Sequence, residues 1–167
     1  MWWSRLRVRR RCRRVVARLD FPDPFDLAEL CRRAGRARGR PIELVPAPLA
    51  ALGLSGLWLA AEHLDYVWYE QNTSAPHREH VVLHELGHIL CNHGGSGSSD
   101  EVLAALFPDL DPEVVGRMVA RRHDAYTSVE EWEAEAFAHE VRARADRAFR
   151  SREDDEVTDR LGRALGD

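Results

Sequence analysis

The sequence predicts an α+β fold in one domain: a small three-stranded sheet, one helix carrying the chemistry, and several packing helices. Three observations predict it. A chain of 167 residues is close to the ~150 of a single domain, and its 44% apolar content is enough for one core. Short runs rich in aromatic and β-branched residues lie between positions 41 and 70. On both sides of that region apolar residues recur at i, i+3 and i+4, the period of a helix.

Taken in order, residues 4–19 read as a basic helix with Leu6, Val8, Val15, Val16 and Leu19 on its apolar positions, preceded by Trp2 and Trp3. Phe21-Pro22-Asp23-Pro24 breaks it, because each proline biases its predecessor away from helix. A second helix runs from an N-cap at Asp26 to Gly35, with Leu27, Leu30 and Cys31 on one face. Pro41 to Pro46, Gly56 to Ala60 and Asp65 to Glu70 read as strands, the last two joined as a hairpin. A helix over His77 to Asn92 then gives way to a flexible loop, His93 to Ser99. Asp111, with Pro112 in the first turn, caps a helix to about Arg122. Ser128 and Glu131 have the spacing of a capping box and open the last long helix, to about Arg150. The domain reading is a basic arm over 1–20, a body over 21–150 and an acidic tail over 151–167.

Charge divides the chain. All 24 basic residues are arginine, a pattern better explained by genomic base composition than by function. Residues 1–40 sum to +9 and residues 41–167 to −13. A basic arm can meet nucleic acid, an acidic partner or its own acidic body. It lacks helix-turn-helix spacing, so packing on the body is expected and direct nucleic-acid binding is not. Cys12, Cys31 and Cys91 are odd in number and form no C-x-x-C pair, which fits a reducing cytoplasm. No apolar h-region follows the Arg-rich start, so secretion is not expected. The best apolar run, Leu49 to Ala61, is broken by two glycines and a serine and falls short of the ~18–20 residues of a membrane span.

His84-Glu85-Leu86-Gly87-His88 is the segment that points to chemistry. Residues i and i+4 lie only ~40° apart around a helix, so both imidazoles reach one ion. Glu85 stands ~100° round from His84, beside a metal, where it can hold and deprotonate a water. Val82, Leu86 and Ile89 fall roughly opposite and face the core. With 8 His in the chain, chance alone gives H-E-x-x-H about 0.03 times, so a second element is needed. An open metal site requires a third protein ligand. A histidine three turns on is ruled out: Gly94 occupies that place, Cys91 replaces the glycine of the longer motif, and His93 is off register by one.

A carboxylate from the last helix is the other route. Ala134, Phe137, Ala138, Val141 and Ala145 form an apolar stripe, with Glu131 at its edge. Glu135 is one turn further along the same side, placed to hydrogen-bond a ligand histidine. Glu133 projects from the far edge and Glu130 falls within the stripe at the frayed end. Glu131 ranks first on spacing, and the other two remain competitors; without the first motif the segment would read as a solvated acidic helix. Tyr126 and His139 are alternative oxyanion donors. His80 reads as a solvated residue with a substrate contact as the alternative. Cys91 reads as a small buried residue, with oxidation sensing or metal contact as the alternative.

Arg78 to His93 (REHVVLHELGHILCNH), followed by EEWEAEAFA, resembles the ImmA/IrrE family of bacterial metallo-endopeptidases in its short actinobacterial form. The likeness covers most of the chain, including LCRRAGRARGRPIEL and FPDLDP. It implies a zincin-like metalloprotease domain with a helix-borne zinc site and a glutamate third ligand. The pattern E-x-x-A/S-acid-x-F-small falls on Glu131, Ala134, Glu135, Phe137 and Ala138; Glu135 stands where related enzymes often have Asp or Asn. The resemblance further implies limited proteolysis of a helix-turn-helix transcriptional repressor encoded nearby, under stress or in mobile-element control. The further sensory-like domain of larger relatives is not expected here.

The combined expectation is a cytoplasmic zinc endopeptidase. His84, His88 and Glu131 hold zinc, Glu85 is the general base, Glu135 supports a ligand, and the strand Asp65 to Glu70 pairs with extended substrate. The alternative is a non-proteolytic regulatory or toxin–antitoxin component that keeps zinc for structure.

Overall fold

The computed structural model describes residues 2–93, 119–121 and 127–165. In chain order these form α1 (Trp2–Ala17), α2 (Leu27–Arg38), β1 (Ile42–Ala47), a 3-10 turn (Leu49–Leu52), β2 (Gly56–Ala60), β3 (Asp65–Glu70), α3 (Ala75–Leu90), β4 (Val119–Arg121) and α4 (Ser128–Leu165). The architecture is α+β. No helix among the described residues is long and apolar enough to cross a membrane.

Local chemistry sets the helix ends. Asp26 caps α2, its carboxylate accepting the Glu29 N–H at 2.7 Å. Gly39, at φ 66°, stops the helix by turning the chain into the left-handed region. Ser74 caps α3 with Pro76 in its first turn. The α3 end is a Schellman turn: Asn92 adopts φ 56°, its N–H donates to Ile89, and the His93 N–H donates to His88 O at 3.0 Å. That turn ends the helix two residues before the expected Asn92.

The sheet has strand order β1-β3-β2-β4, with β1 parallel to β3 and the other neighbours antiparallel. Two features correct the sequence reading. Residues 119–121, expected within the Asp111 helix, form a short strand on β2; the rest of that expected helix lies outside the described residues. β3 is interior, paired on one side with β1 and on the other with β2, so Asp65–Glu70 offers no edge to a substrate strand.

The core lies where α3 crosses the sheet. Val82, Leu83, Leu86 and Ile89 of α3 pack against Trp58 and Val67 on one side and Phe137, Ala138 and Val141 of α4 on the other. α1 packs on α4 beyond, and α2 packs on β1. Buried Asp65 fastens α2 to the sheet: Arg38 reaches its Oδ2 at 2.8 Å, and Arg40 and the Trp58 indole reach Oδ1 at 3.0 and 3.1 Å.

The basic arm is therefore a packed helix. Arg11 pairs with Glu133, Arg13 with Glu140, and Arg144 donates to the Val16 carbonyl at 2.6 Å. The stretch from 151, read as an acidic tail, continues α4 to Leu165. The capping box also moves by one residue. Thr127 and Glu130 form it, with Thr127 N–H donating to Glu130 Oε2 at 2.8 Å and Glu130 N–H to Thr127 Oγ1 at 3.3 Å. The shift leaves Glu131 one position later, turned toward α3.

Candidate metal centre

Two small residues bring α3 and α4 close enough to share a site. A Cβ on Gly87 would come within 2.9 Å of Ala134 Cα and 3.1 Å of Ala134 O, so the residue immediately before His88 has to lack a side chain for this approach. One helical turn before Ala134 stands Glu131; His88 directly follows Gly87, and His84 stands one turn before it. Proximity follows from the packing.

His84 and His88 are 7% and 0% exposed, and their Nε2 atoms lie 3.0 Å apart. Glu131 Oε2 is 3.5 Å from His84 Nε2, and Oε1 is 3.5 Å from His88 Nε2. Ligands of a tetrahedral ion bound at ~2.0–2.1 Å lie ~3.3 Å from one another. The three donors already have that spacing, and they are of the nitrogen and oxygen types that zinc takes. The residues fit a bound divalent cation.

The outer ring nitrogens are occupied, which directs both Nε2 atoms inward. His84 Nδ1 lies 3.5 Å from Glu135 Oε2. His88 Nδ1 lies 2.9 Å from His93 Nδ1, and His93 Nε2 lies 3.0 Å from Glu133 Oε2. Arg11 reaches that same Oε2 at 3.0 Å and the Cys91 carbonyl at 2.8 Å. A ligand histidine backed through a second histidine to a carboxylate has its tautomer and ring orientation fixed.

The predicted site residues are thus placed as follows. His84, His88 and Glu131 come together, and Glu135 contacts His84. Of the two competitors for third ligand, Glu130 is spent in the capping box, and Glu133 sits behind His93. His93 was expected in a flexible loop; it is 3% exposed, because the Schellman turn folds it back onto His88. His93, Glu133 and Arg11 were missed as supports. Asn92, two residues past the last helical residue, was the signal that the helix stops there and reverses.

Glu85 is buried between α3 and β2, with Oε1 3.1 Å from where a Gly56 Cβ would stand. Burial raises its pKa to about 8, with the Glu131 charge adding and a hydrogen bond from the Trp58 backbone opposing. Burial likewise raises Glu131 to about 7, helped by Glu130 and Glu135. A cation between the three donors would offset this accumulated negative charge.

A cleft of about 380 Å³ opens onto the centre, walled by Gly53 to Gly56 on one side and by His80, His84, Glu85 and Glu135 on the other. His80 pairs with Glu135 Oε2 at 3.2 Å and so belongs to the cleft wall. His139 is largely exposed and pairs with Glu135 Oε1 at 3.0 Å; Tyr126 lies outside the described residues. No protein family, curated protein or solved structure matches the chain.

Proposed function

We propose that the chain is a zinc-dependent endopeptidase of zincin-like architecture that cuts a regulatory protein, a helix-turn-helix transcriptional repressor, at one or a few sites. The observation that carries this reading is the convergence of His84 Nε2, His88 Nε2 and the Glu131 carboxylate at the edge of a cleft, with the Glu85 carboxyl beside them. Those three residues would hold the ion, which when bound supplies Lewis acidity to polarise a scissile carbonyl and acidify water.

The chain's own residues do the rest. Glu85 takes the proton of the attacking water and delivers it to the leaving amine, its burial favouring the protonated form in between. Glu135 holds His80 and His84 in place, and His80 stands on the cleft wall where it can contact substrate. Extended substrate lies along the Gly53–Ser55 wall of the cleft, opposite Glu85; Gly56 is bare because Val81 and Glu85 fill the space a Cβ would take. The net −13 of residues 41–167 favours a basic DNA-binding partner at long range. Free, buried Cys12, Cys31 and Cys91 are in keeping with a cytoplasmic location.

Co-incubation of the zinc-loaded protein with the repressor encoded beside it, read by mass spectrometry, tests the proposal. One or few cuts in a linker are expected, with casein left intact. An intact repressor alongside rapid casein digestion contradicts it and indicates a general protease.

A further inference from the structure

Behind the candidate centre, on the side away from the cleft, a second set of donors converges. Cys12 of α1, Cys91 at the end of α3 and Glu133 of α4 each present a ligand atom within 4.8 Å of the other two. They are 1%, 1% and 3% exposed. Glu133 Oε2 is taken by His93 and Arg11, whereas its Oε1 is buried with no hydrogen-bond partner among the described residues. A buried carboxylate oxygen left without a donor, on a residue clustered with two thiols, is costly unless a positive group fills the space.

We propose that Cys12, Cys91 and Glu133 form a second, structural site for a thiophilic divalent cation of the zinc class, clamping α1 to the end of α3 and to α4. The donor chemistry selects the ion, since thiolates favour zinc over calcium or magnesium. Binding releases one proton from each thiol to solvent and moves no electrons. Two thiolates and a carboxylate then balance the charges of the ion and of the Arg11 guanidinium, leaving the buried cluster neutral. Zinc–sulfur bonds of ~2.3 Å put tetrahedral ligands ~3.8 Å apart, so the present spacing closes by about 1 Å at most. Cys12 also lines a cavity of about 520 Å³ between α1 and α4, which gives the ion a route in. The site serves the first centre indirectly, because the same Glu133 backs His93 through its other oxygen.

The test uses the full chain under reducing conditions, stripped with a chelator and titrated with Co²⁺. Two equivalents per chain are expected, one of them bringing thiolate-to-cobalt charge-transfer absorption in the near ultraviolet. Cys91→Ser should lose that absorption and one equivalent while keeping the other; Glu131→Ala should do the reverse; Cys31→Ala, outside the triad, should retain both. A wild-type chain that binds one equivalent with no thiolate absorption overturns the site, whatever the variants do. Absorption that survives in the Cys12→Ser/Cys91→Ser double variant overturns it as well. Absorption with a single equivalent supports the thiolate site and counts against the His84 centre, so the two readings fail separately.

Discussion

Glu130 and Glu131 are neighbours in sequence with unrelated roles: one closes the capping box and the other faces two imidazoles. Their variants should therefore separate cleanly. Glu130→Ala costs about 0.5–2 kcal/mol of stability through the lost cap and leaves metal bound. Glu131→Ala removes a ligand and should release the metal at chelator concentrations the wild type resists. His93→Ala lies between them, lowering metal affinity by about 10–100-fold because His88 loses the group that fixes its ring. Competition with a chromogenic chelator ranks the three. Glu70 supplies a pH dependence at the same scale. N–H groups of Asn72 and Ala50 donate to its two oxygens at 2.7 and 2.6 Å, and they hold its carboxyl below the ordinary range. A depressed carboxyl contributes stability above its unfolded pKa and loses it as pH falls through the folded value. Urea midpoints should thus fall as the pH drops below the ordinary carboxylate range, and Glu70→Gln should flatten that part of the curve.

At the scale of elements, the approach of α3 to α4 depends on Gly87. Gly87→Ala should cost about 1–3 kcal/mol by overpacking against Ala134 and should weaken metal binding by moving Glu131 outward, read by thermal unfolding with and without zinc. Strands were legible to the residue where the signal was dense: Gly56–Ala60 and Asp65–Glu70 are short aromatic and aliphatic runs bounded by turns. The apolar stripes of α3 and α4 were equally legible, since helical period alone puts Leu86 and Phe137 in the core. Helix ends were not. Thr127 and Ser128 both have a glutamate three residues on, and only the packing of Glu131 against α3 decides between two equally good boxes. Residues 151–165 read as a tail from their acidity, but glutamate, arginine, alanine and leucine are good helix formers, and Arg160 pairs with Glu156 one turn back. A three-residue strand such as Val119–Arg121 is specified by its partner β2 more than by its own sequence.

Across the whole molecule, the centre draws on residues that no local pattern connects. The ligand pair on α3 announces itself by spacing, whereas Arg11 lies 122 positions from the Glu133 it neutralises. The charge asymmetry of the chain is the only sequence trace of that contact, and it names neither residue. Arg11→Ala should lower stability by about 1–2 kcal/mol, less than for a fully buried pair because Arg11 is half exposed, and should loosen α1 as read by hydrogen exchange. The central claim, a metal held by His84, His88 and Glu131 with Glu85 as the base beside it, is tested most directly by Glu85→Gln, assayed for zinc content and repressor cleavage on the same preparation. Zinc at the wild-type stoichiometry with cleavage reduced at least about 100-fold is the predicted result. A folded variant that has lost its zinc, or one that cleaves at the wild-type rate, would contradict it.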